Sequence, residues 1–293
     1  MRRARRPVTA LLFVAPALVL FGLLVLVPIV VAVYTSTLKW NGVGPSTFAG
    51  LDNFTRLFQS EIFLGDLRHG GILILLSLAV QIPISLGLAV LLNGKIRGRA
   101  FYRLLYFAPY VLSEAVTGVL FSLVLSPQEG LANRLLQSVG LSGWTWLSEP
   151  DTALLSVFLV ITWKYFGFHM LIYLAGLQGI PKELQEAARI DGAGDWNVFR
   201  HVTLPLLGPT IRISVFLSVI GTIQLFDLVF ILTGGGPSHA SETMAVSMYE
   251  YGFKRSQIGY SAAISVVMFA ISLAFALGYQ RFVMRRDLKG AIA

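Results

Sequence analysis

The sequence contains no cysteine among its 293 residues, so neither a disulfide nor a thiolate metal site can form. Charged side chains are also scarce, at 13% of the chain, whereas ordinary soluble domains carry about 25%. Apolar residues dominate instead: they make up 55% of the chain, and the mean hydropathy is +0.72. These proportions exclude an ordinary soluble domain and predict an all-α membrane protein.

The sequence also lacks the motifs of nucleotide-binding and catalytic sites. No stretch matches G-x-x-x-x-G-K-[ST], the loop that cradles phosphates, and the Gly234–Gly236 run is followed by Pro237 rather than lysine. The four histidines lie far apart, so the paired histidines of an integral membrane enzyme are absent. We therefore expect the chain itself to bind no ATP, no metal and no cofactor.

Six long apolar stretches lie along the chain. A helix needs roughly 20 such residues to cross a hydrocarbon core about 30 Å thick, and each stretch is long enough. The sequence predicts one transmembrane domain at 9–283, with short tails at 1–8 and 284–293 and a polar loop at 177–204. The predicted spans are 9–33, 70–92, 104–125, 152–176, 205–232 and 259–283.

The basic residues are distributed unevenly around these spans. If the N-terminus is cytoplasmic, most of the 23 lysines and arginines fall on the cytoplasmic side, so the positive-inside rule places both termini there. The net charge of +8 could also suggest nucleic acid. No basic stripe is interleaved with exposed aromatic residues, however, so we expect a lipid bilayer and no nucleic acid as partner.

The polar loop between the fourth and fifth spans has the features of two short helices. Pro181 and Glu183 are typical of a helix start, and we expect this helix to run to about Asp191. Gly192 and Gly194 would end it, and Asp195 would cap a second short helix. Both helices carry apolar side chains on the cytoplasmic side, namely Leu184, Ala187, Ala188, Trp196, Val198 and Phe199.

This loop resembles the EAA loop that marks the membrane subunits of binding-protein-dependent ABC importers. The matching residues are Glu186-Ala187-Ala188, Gly192 four residues later, and Val202-Thr203-Leu204-Pro205. Val202 departs slightly, since the family usually has isoleucine there. Three further segments are similar to the carbohydrate-uptake branch, in particular to the first permease of maltose-type and glycerol-phosphate-type importers: Gly50–Phe54, Arg103–Tyr110 and Leu232–Pro237.

The resemblance implies a type I importer permease in a prokaryotic inner or plasma membrane. Its partners would be a second homologous permease, two cytoplasmic ATPase subunits that use ATP and Mg, and an extracytoplasmic solute-binding protein. The EAA loop (177–204) would seat in a cleft on the ATPase, with Glu186 as the polar contact and Gly192 as the bend. The implied coupling residues are Glu186, Ala187, Ala188, Asp191 and Gly192. The alternative is an amphipathic connector resting on the membrane surface.

Ionisable residues inside the predicted spans are candidates for the solute pathway, because a charge in hydrocarbon is costly unless it faces a cavity or a partner. Glu114 and Lys164 would either pair or jointly line a central cavity; equally, the pair could hold two helices in register. Asp227 is a further candidate. Arg212 can extend to the headgroups, and His169 is expected to be a satisfied polar residue between helices.

The resemblance adds positions at which related permeases contact solute. They correspond here to Lys164, Tyr165, Phe168, Thr222, Gln224 and Leu225. An aromatic ring beside hydrogen-bonding groups suits a sugar, although aromatic residues at helical spacing often only pack against neighbouring helices.

The expected function is therefore a permease that translocates a sugar or related polyol by alternating access. One alternative is an ion-coupled secondary transporter, which would need inverted repeats or a carboxylate relay, and neither is visible. A less favoured alternative is an integral membrane enzyme. The identity of the sugar, and whether it carries phosphate, stays open.

Overall fold

The computed structural model describes residues 5–94 and 96–284. Lys95 and the residues 1–4 and 285–293, which belong to the two predicted tails, lie outside the described residues. The α-helices of the described residues are α1 (Arg5–Phe21), α2 (Val27–Ser36), α3 (Asp52–Gln59), α4 (Glu61–Leu76), α5 (Ile82–Asn93), α6 (Arg99–Val111), α7 (Glu114–Val124), α8 (Leu131–Ser138), α9 (Pro150–Gln178), α10 (Lys182–Ile190), α11 (Asp195–Val198), α12 (Leu204–Leu206), α13 (Gly208–Ile223), α14 (Asp227–Leu232), α15 (Met244–Tyr249) and α16 (Ile258–Tyr279).

Short π-helical segments extend several of these helices. They are Gly22–Leu26, Ser77–Gln81, Phe199–Thr203, Glu250–Lys254 and Gln280–Met284. The first two join α1 to α2 and α4 to α5, so each pair forms one continuous helical rod. In the same way, α11 and α12 form a single rod, Asp195–Leu206.

Several helices are long and apolar enough to cross a membrane. Four meet this criterion of length and composition as single helices: Phe13–Ser36, Glu61–Asn93, Pro150–Gln178 and Ile258–Met284. Two bent pairs also qualify if each pair counts as one span. These are α6 with α7, bent by 96°, and Asp195–Leu206 with α13, bent by 65°. The described residues thus provide four to six candidate spans.

The third and fifth predicted spans are not single helices. The third, 104–125, breaks between Val111 and Glu114, where Leu112 is extended and the Ser113 side chain caps α7 by accepting a hydrogen bond from the Val116 amide at 3.2 Å. The fifth, 205–232, breaks twice, at Leu207 and again between α13 and α14. Hydropathy alone cannot reveal such breaks, since it averages over about 19 residues.

The all-α expectation needs one small correction. A short antiparallel hairpin pairs β1 (Leu38–Lys39) with β2 (Thr47–Phe48), with Leu38 opposite Phe48. It lies between the first and second predicted spans. Four paired residues do not alter the fold class, but they give this loop a defined conformation.

Residues 64–246 and 271–284 belong to one compact unit, in which α9 is the central helix. Helices α5, α6, α13 and α14 pack against it. Its buried apolar side chains form two clusters, one around Val157, Phe158 and Ile161 with Leu228 and Val229, the other around Met170, Tyr173 and Leu174 with Ala89 and Leu92. Because neighbours surround α9, its sequence is apolar almost all round.

The other compact unit comprises residues 5–63 and 247–270. Its polar centre is Asn53 of α3, which is buried and donates to the carbonyls of Ser36 at 2.8 Å and Leu38 at 2.9 Å. The Arg56 guanidinium lies over the Tyr260 ring, 4.3 Å from its centroid. These contacts tie α3 both to the hairpin and to the start of α16.

Candidate solute cavity and EAA loop

A cavity of about 200 Å³ lies within the larger unit. α9 and α13 supply most of its wall, and the π-helical segment before α5 and the last turn of α6 complete it. Its lining residues are Ser77, Gln81, Tyr110, Ile161, Tyr165, Phe168, His169, Leu217, Ser218, Gly221, Thr222 and Leu225. The wall is therefore mostly apolar and aromatic, with a few polar groups, as is usual for small-molecule sites.

The structure places half of the predicted solute-pathway residues at this cavity. Those that line it are Tyr165, Phe168, Thr222 and Leu225. Those outside its lining are Glu114, Lys164, Gln224 and Asp227. Gln224 and Asp227 are exposed, because the chain leaves the helix after Ile223. Gln81 and Tyr110 line the cavity without having been predicted to do so.

One wall of the cavity is a stack of aromatic rings from two helices. Phe168 of α9 stacks on Tyr110 of α6, with centroids 4.7 Å apart and ring planes at 17°. Tyr165 meets Tyr110 edge to face, with centroids 6.0 Å apart. Offset and edge-to-face contacts of this kind are favourable and hold ring orientations. The cavity thus has a flat, rigid apolar face.

Two hydroxyl groups of the cavity have their hydrogens engaged within the protein. The Tyr165 hydroxyl donates to Glu114 Oε1, and the Thr222 hydroxyl donates to the Ser218 carbonyl at 2.9 Å. A hydroxyl whose single hydrogen is engaged retains lone pairs for an incoming donor. These two oxygens therefore favour a solute that carries hydrogen-bond donors of its own.

His169 lies at the cavity, whereas Arg212 lies outside its lining. His169 is buried, and its Nδ1 lies 2.7 Å from Ser214 Oγ of α13, so it is a hydrogen-bonded residue between helices as expected, although its ring also reaches the cavity. Arg212 is half-buried near the start of α13 and does not line the cavity. Its carbonyl accepts a hydrogen bond from the Tyr279 hydroxyl at 3.0 Å.

Glu114 and Lys164 lie together, but at the α6–α7 break rather than in the cavity lining. Lys164 Nζ is 3.8 Å from Glu114 Oε1 and donates to the Leu112 carbonyl at 2.5 Å. The Lys164 side chain is only 2% exposed. Of the two arrangements expected from the sequence, the structure shows the pair and not the joint lining of the cavity.

The EAA loop has the predicted pair of short helices. α10 ends in a Schellman motif, in which Gly192 adopts φ +88° and its amide donates to the Arg189 carbonyl at 3.0 Å, while the Ala193 amide donates to the Ala188 carbonyl at 2.9 Å. Two details differ from the prediction. Pro181 is the N-cap of α10 rather than its first residue, and Asp195 is the first residue of α11 rather than its cap.

The EAA loop carries large apolar side chains on its surface. Ile190 is 86% exposed, Trp196 68% and Leu184 46%. Arg189 bridges the two short helices through Asp195 Oδ1 at 3.2 Å. Of the predicted coupling residues, Ala188 is half-buried and the others are exposed: Glu186, Ala187, Asp191 and Gly192. An exposed apolar patch rimmed by charges is typical of a protein interface.

Known proteins resemble this chain in both sequence and fold. Residues 81–287 match the family described as "Binding-protein-dependent transport system inner membrane component". The probable ABC transporter permease protein YurN of Bacillus subtilis is 37% identical over 276 residues, covering 92% of this chain and 94% of that protein. The sulfoquinovosyl glycerol transport system permease protein SmoG of Agrobacterium fabrum is 34% identical over 280 residues, covering 95% and 91%.

A chain from the crystal structure of a bacterial ABC transporter involved in the import of the acidic polysaccharide alginate shares the fold. Its TM-score is 0.82 at 23% sequence identity, with 97% of this chain and 96% of that chain covered. The resemblance inferred from the EAA loop is thereby confirmed. The chain belongs to the binding-protein-dependent transport system inner membrane components, a family of transport permeases.

Proposed function

We propose that this chain is one of two permease subunits of an ATP-driven importer that moves a sugar or related polyol across the membrane by alternating access. The cavity carries the proposal: the stacked rings of Tyr110 and Phe168 line it together with Tyr165 and Thr222, which each bring a hydroxyl group. A sugar presents a C–H face that stacks on such rings, and its hydroxyl hydrogens suit such acceptors. The substrates named for two similar proteins, sulfoquinovosyl glycerol for SmoG and alginate for the alginate importer, support this class.

The proposed topology has six spans, with each bent pair counted as one, and both termini in the cytoplasm. The charge distribution supports it. Arg97, Arg99 and Arg103 follow the second span, and Arg189 and Arg200 lie in the EAA loop, so all five fall on the cytoplasmic side in this topology. The membrane would be the inner or plasma membrane of a prokaryotic cell.

The proposed partners are a second, homologous permease, two cytoplasmic ATPase subunits and an extracytoplasmic solute-binding protein. The EAA loop would dock on an ATPase through its exposed apolar residues, Ile190 and Trp196 among them. ATP and Mg would bind only to those partners. Nucleotide binding would then shift an equilibrium between inward- and outward-facing states, and the binding protein would deliver solute to the outward-facing one.

Reconstitution tests this proposal. The complex would be purified through a tag on this chain, placed in liposomes with ATP inside, and supplied from outside with the solute-binding protein that copurifies or is encoded with it, loaded from a panel of labelled sugars. We expect accumulation of one class of sugar that needs both ATP and the binding protein; ADP inside is the control. Uptake that persists with ADP, or after deletion of α10 and α11, would contradict the proposal, as would ATP hydrolysis by this chain alone.

A further inference from the structure

The break between α6 and α7 exposes backbone groups that a continuous helix would satisfy. Leu112 is extended, with φ −65° and ψ 142°, so its carbonyl points out of both helices. Within a bilayer an unsatisfied carbonyl is costly, because no water is available to bond it. Lys164 supplies the missing donor from α9, with Nζ 2.5 Å from the Leu112 oxygen. The Leu112 carbonyl at the break is therefore satisfied by a side chain from another helix.

The charges at the break also match the helix ends that meet there. The C-terminal end of α6 carries partial negative charge, and the N-terminal end of α7 carries partial positive charge. Lys164 bonds the first of these ends, and Glu114 is the first residue of the second. Because Nζ and Oε1 are 3.8 Å apart, each side chain neutralises both a helix end and the other charge.

Close contact between α6 and α9 brings Lys164 within reach of the break. Gly167 lies one turn after Lys164 on α9, and a Cβ atom there would overlap the carbonyl oxygen of Tyr106 and lie 3.1 Å from the Cα of Phe107. The two backbones thus touch without intervening side chains. A larger residue at 167 would push α6, and Leu112 with it, away from Lys164.

The same groups fix two side chains of the cavity. The Tyr165 hydroxyl donates to Glu114 Oε1, which sets the direction of its free lone pairs. Tyr110 lies two residues before Leu112, in the last turn of α6, and its ring stacks on Phe168. Any change in the break therefore moves Tyr110, and any change at Glu114 releases Tyr165.

We propose that Glu114 and Lys164 are positioning residues: together with the Leu112 carbonyl they form a brace that holds the α6–α7 break and orients Tyr110 and Tyr165 toward the solute. Neither side chain contacts solute itself. Lys164 is 2% exposed and already bonded, and neither residue lines the cavity. The solute part of this inference rests on the proposed function, whereas the helix geometry does not.

The cysteine-free chain allows a direct test in the assembled complex. Cysteines introduced at Leu105 of α6 and Leu123 of α7, which are 52% and 70% exposed, would carry spin labels for a distance measurement. We expect one narrow distance distribution in the parent. Lys164→Met should shift it or widen it about twofold, because a break without its donor is no longer fixed. Lys164→Arg keeps a donor and should restore the narrow distribution, and Lys39→Met, at an exposed lysine, should leave it unchanged.

The double variant E114Q/K164M distinguishes loss of the brace from misfolding caused by an unpaired charge. It leaves no unpaired charge, so it should assemble into the complex, yet it still lacks the donor to Leu112 and should keep the wide distribution. A narrow, unshifted distribution in both K164M and the double variant would overturn the inference. A narrow parent distribution in a complex that accumulates no sugar with ATP would leave the brace standing and contradict the proposed function instead.

A second readout uses uptake of the sugar identified by the liposome panel. If the brace orients the cavity residues, E114Q should have a higher KM for uptake than the parent. The KM of Lys164→Arg should then lie between those of Lys164→Met and the parent. Direct contact of Lys164 with an anionic solute predicts instead that Lys164→Met loses discrimination between charged and neutral sugars while the distance distribution stays narrow. That second pattern would overturn the inference.

Discussion

The Asn133 side-chain oxygen accepts the indole hydrogen of Trp146 at 2.7 Å. The same oxygen accepts the Trp144 amide at 2.9 Å, and Nδ2 donates to the carbonyls of Pro127 and Trp144, both at 2.9 Å. Asn133 is only 3% exposed. One amide group thus closes the loop between α7 and α9, and no other uncharged side chain of this size offers two donors and a double acceptor in that geometry.

Replacing Asn133 by alanine should open this loop. Each buried backbone group left without a partner costs about 1–3 kcal/mol. Because Asn133 holds several such groups, its loss should favour an open conformation of the loop. We expect faster tryptic cleavage at the neighbouring, exposed Arg134 in the purified complex, followed by mass spectrometry. Gln137→Ala, an exposed position on the same helix, is the control. Equal cleavage rates in the two variants would show that Asn133 does not hold the loop.

Alanine at Gly167 should destabilise the helix pair α6–α9. The added methyl group would meet backbone atoms of Tyr106, which cannot rotate away, and overpacking of this kind typically costs about 1–3 kcal/mol. We expect a lower apparent Tm of the complex, measured by heating followed by size-exclusion chromatography. Gly87→Ala in α5 is the matched control, since no heavy atom lies within 4 Å of a Cβ there. A Tm equal to that of this control would contradict the close contact.

Alanine at Gly192 should weaken coupling between ATP hydrolysis and uptake. Gly192 needs φ +88°, a conformation that costs an L-residue about 1–2 kcal/mol, so the bent form of the EAA loop should become roughly 5–30-fold less populated. The ratio of sugar imported to ATP hydrolysed, measured in liposomes, should fall while the thermal stability of the bundle is kept. Gly194 has φ −68° and open space around it, so Gly194→Ala should couple nearly normally.

Phenylalanine at Tyr165 should weaken solute binding. The change removes one hydrogen-bond acceptor from the cavity, a loss of about 1–1.5 kcal/mol, or roughly a tenfold rise in KM for uptake. Tyr173→Phe, on the same helix but in an apolar cluster outside the cavity, is the control. If both variants show the parental KM, the Tyr165 hydroxyl does not face solute.

The EAA loop could be predicted almost to the residue because its signals are local. Pro181 marks where a helix can begin, and Gly192 marks where it must stop, whatever the rest of the chain does. The structure moved the first boundary by one position only. Trp196 is exposed as expected, whereas Val198, in the same expected apolar set, is buried.

The cavity could be predicted only in part, because it depends on packing between distant segments. Tyr165 and Phe168 lie on the same helix, whereas Gln81 and Tyr110 reach the cavity from two other segments. No spacing in the sequence links Gln81 and Tyr110 to that helix. The α6–α7 break is different. Ser113 is a residue type that is common at helix N-caps, but the long apolar run around it favours one continuous span.

The helical rod Asp195–Leu206 meets α13 at 65°, with Leu207 at the corner. Trp196 lies eleven positions before Leu207, so at 1.5 Å per residue the two are about 16 Å apart along the helix. Under the proposed function, a force on the indole would act on the corner as a torque rather than as a simple translation. That torque would rotate the far end of α13, where Ser218 and Thr222 line the cavity. A displacement at the cytoplasmic surface would thereby become a rotation of the cavity wall.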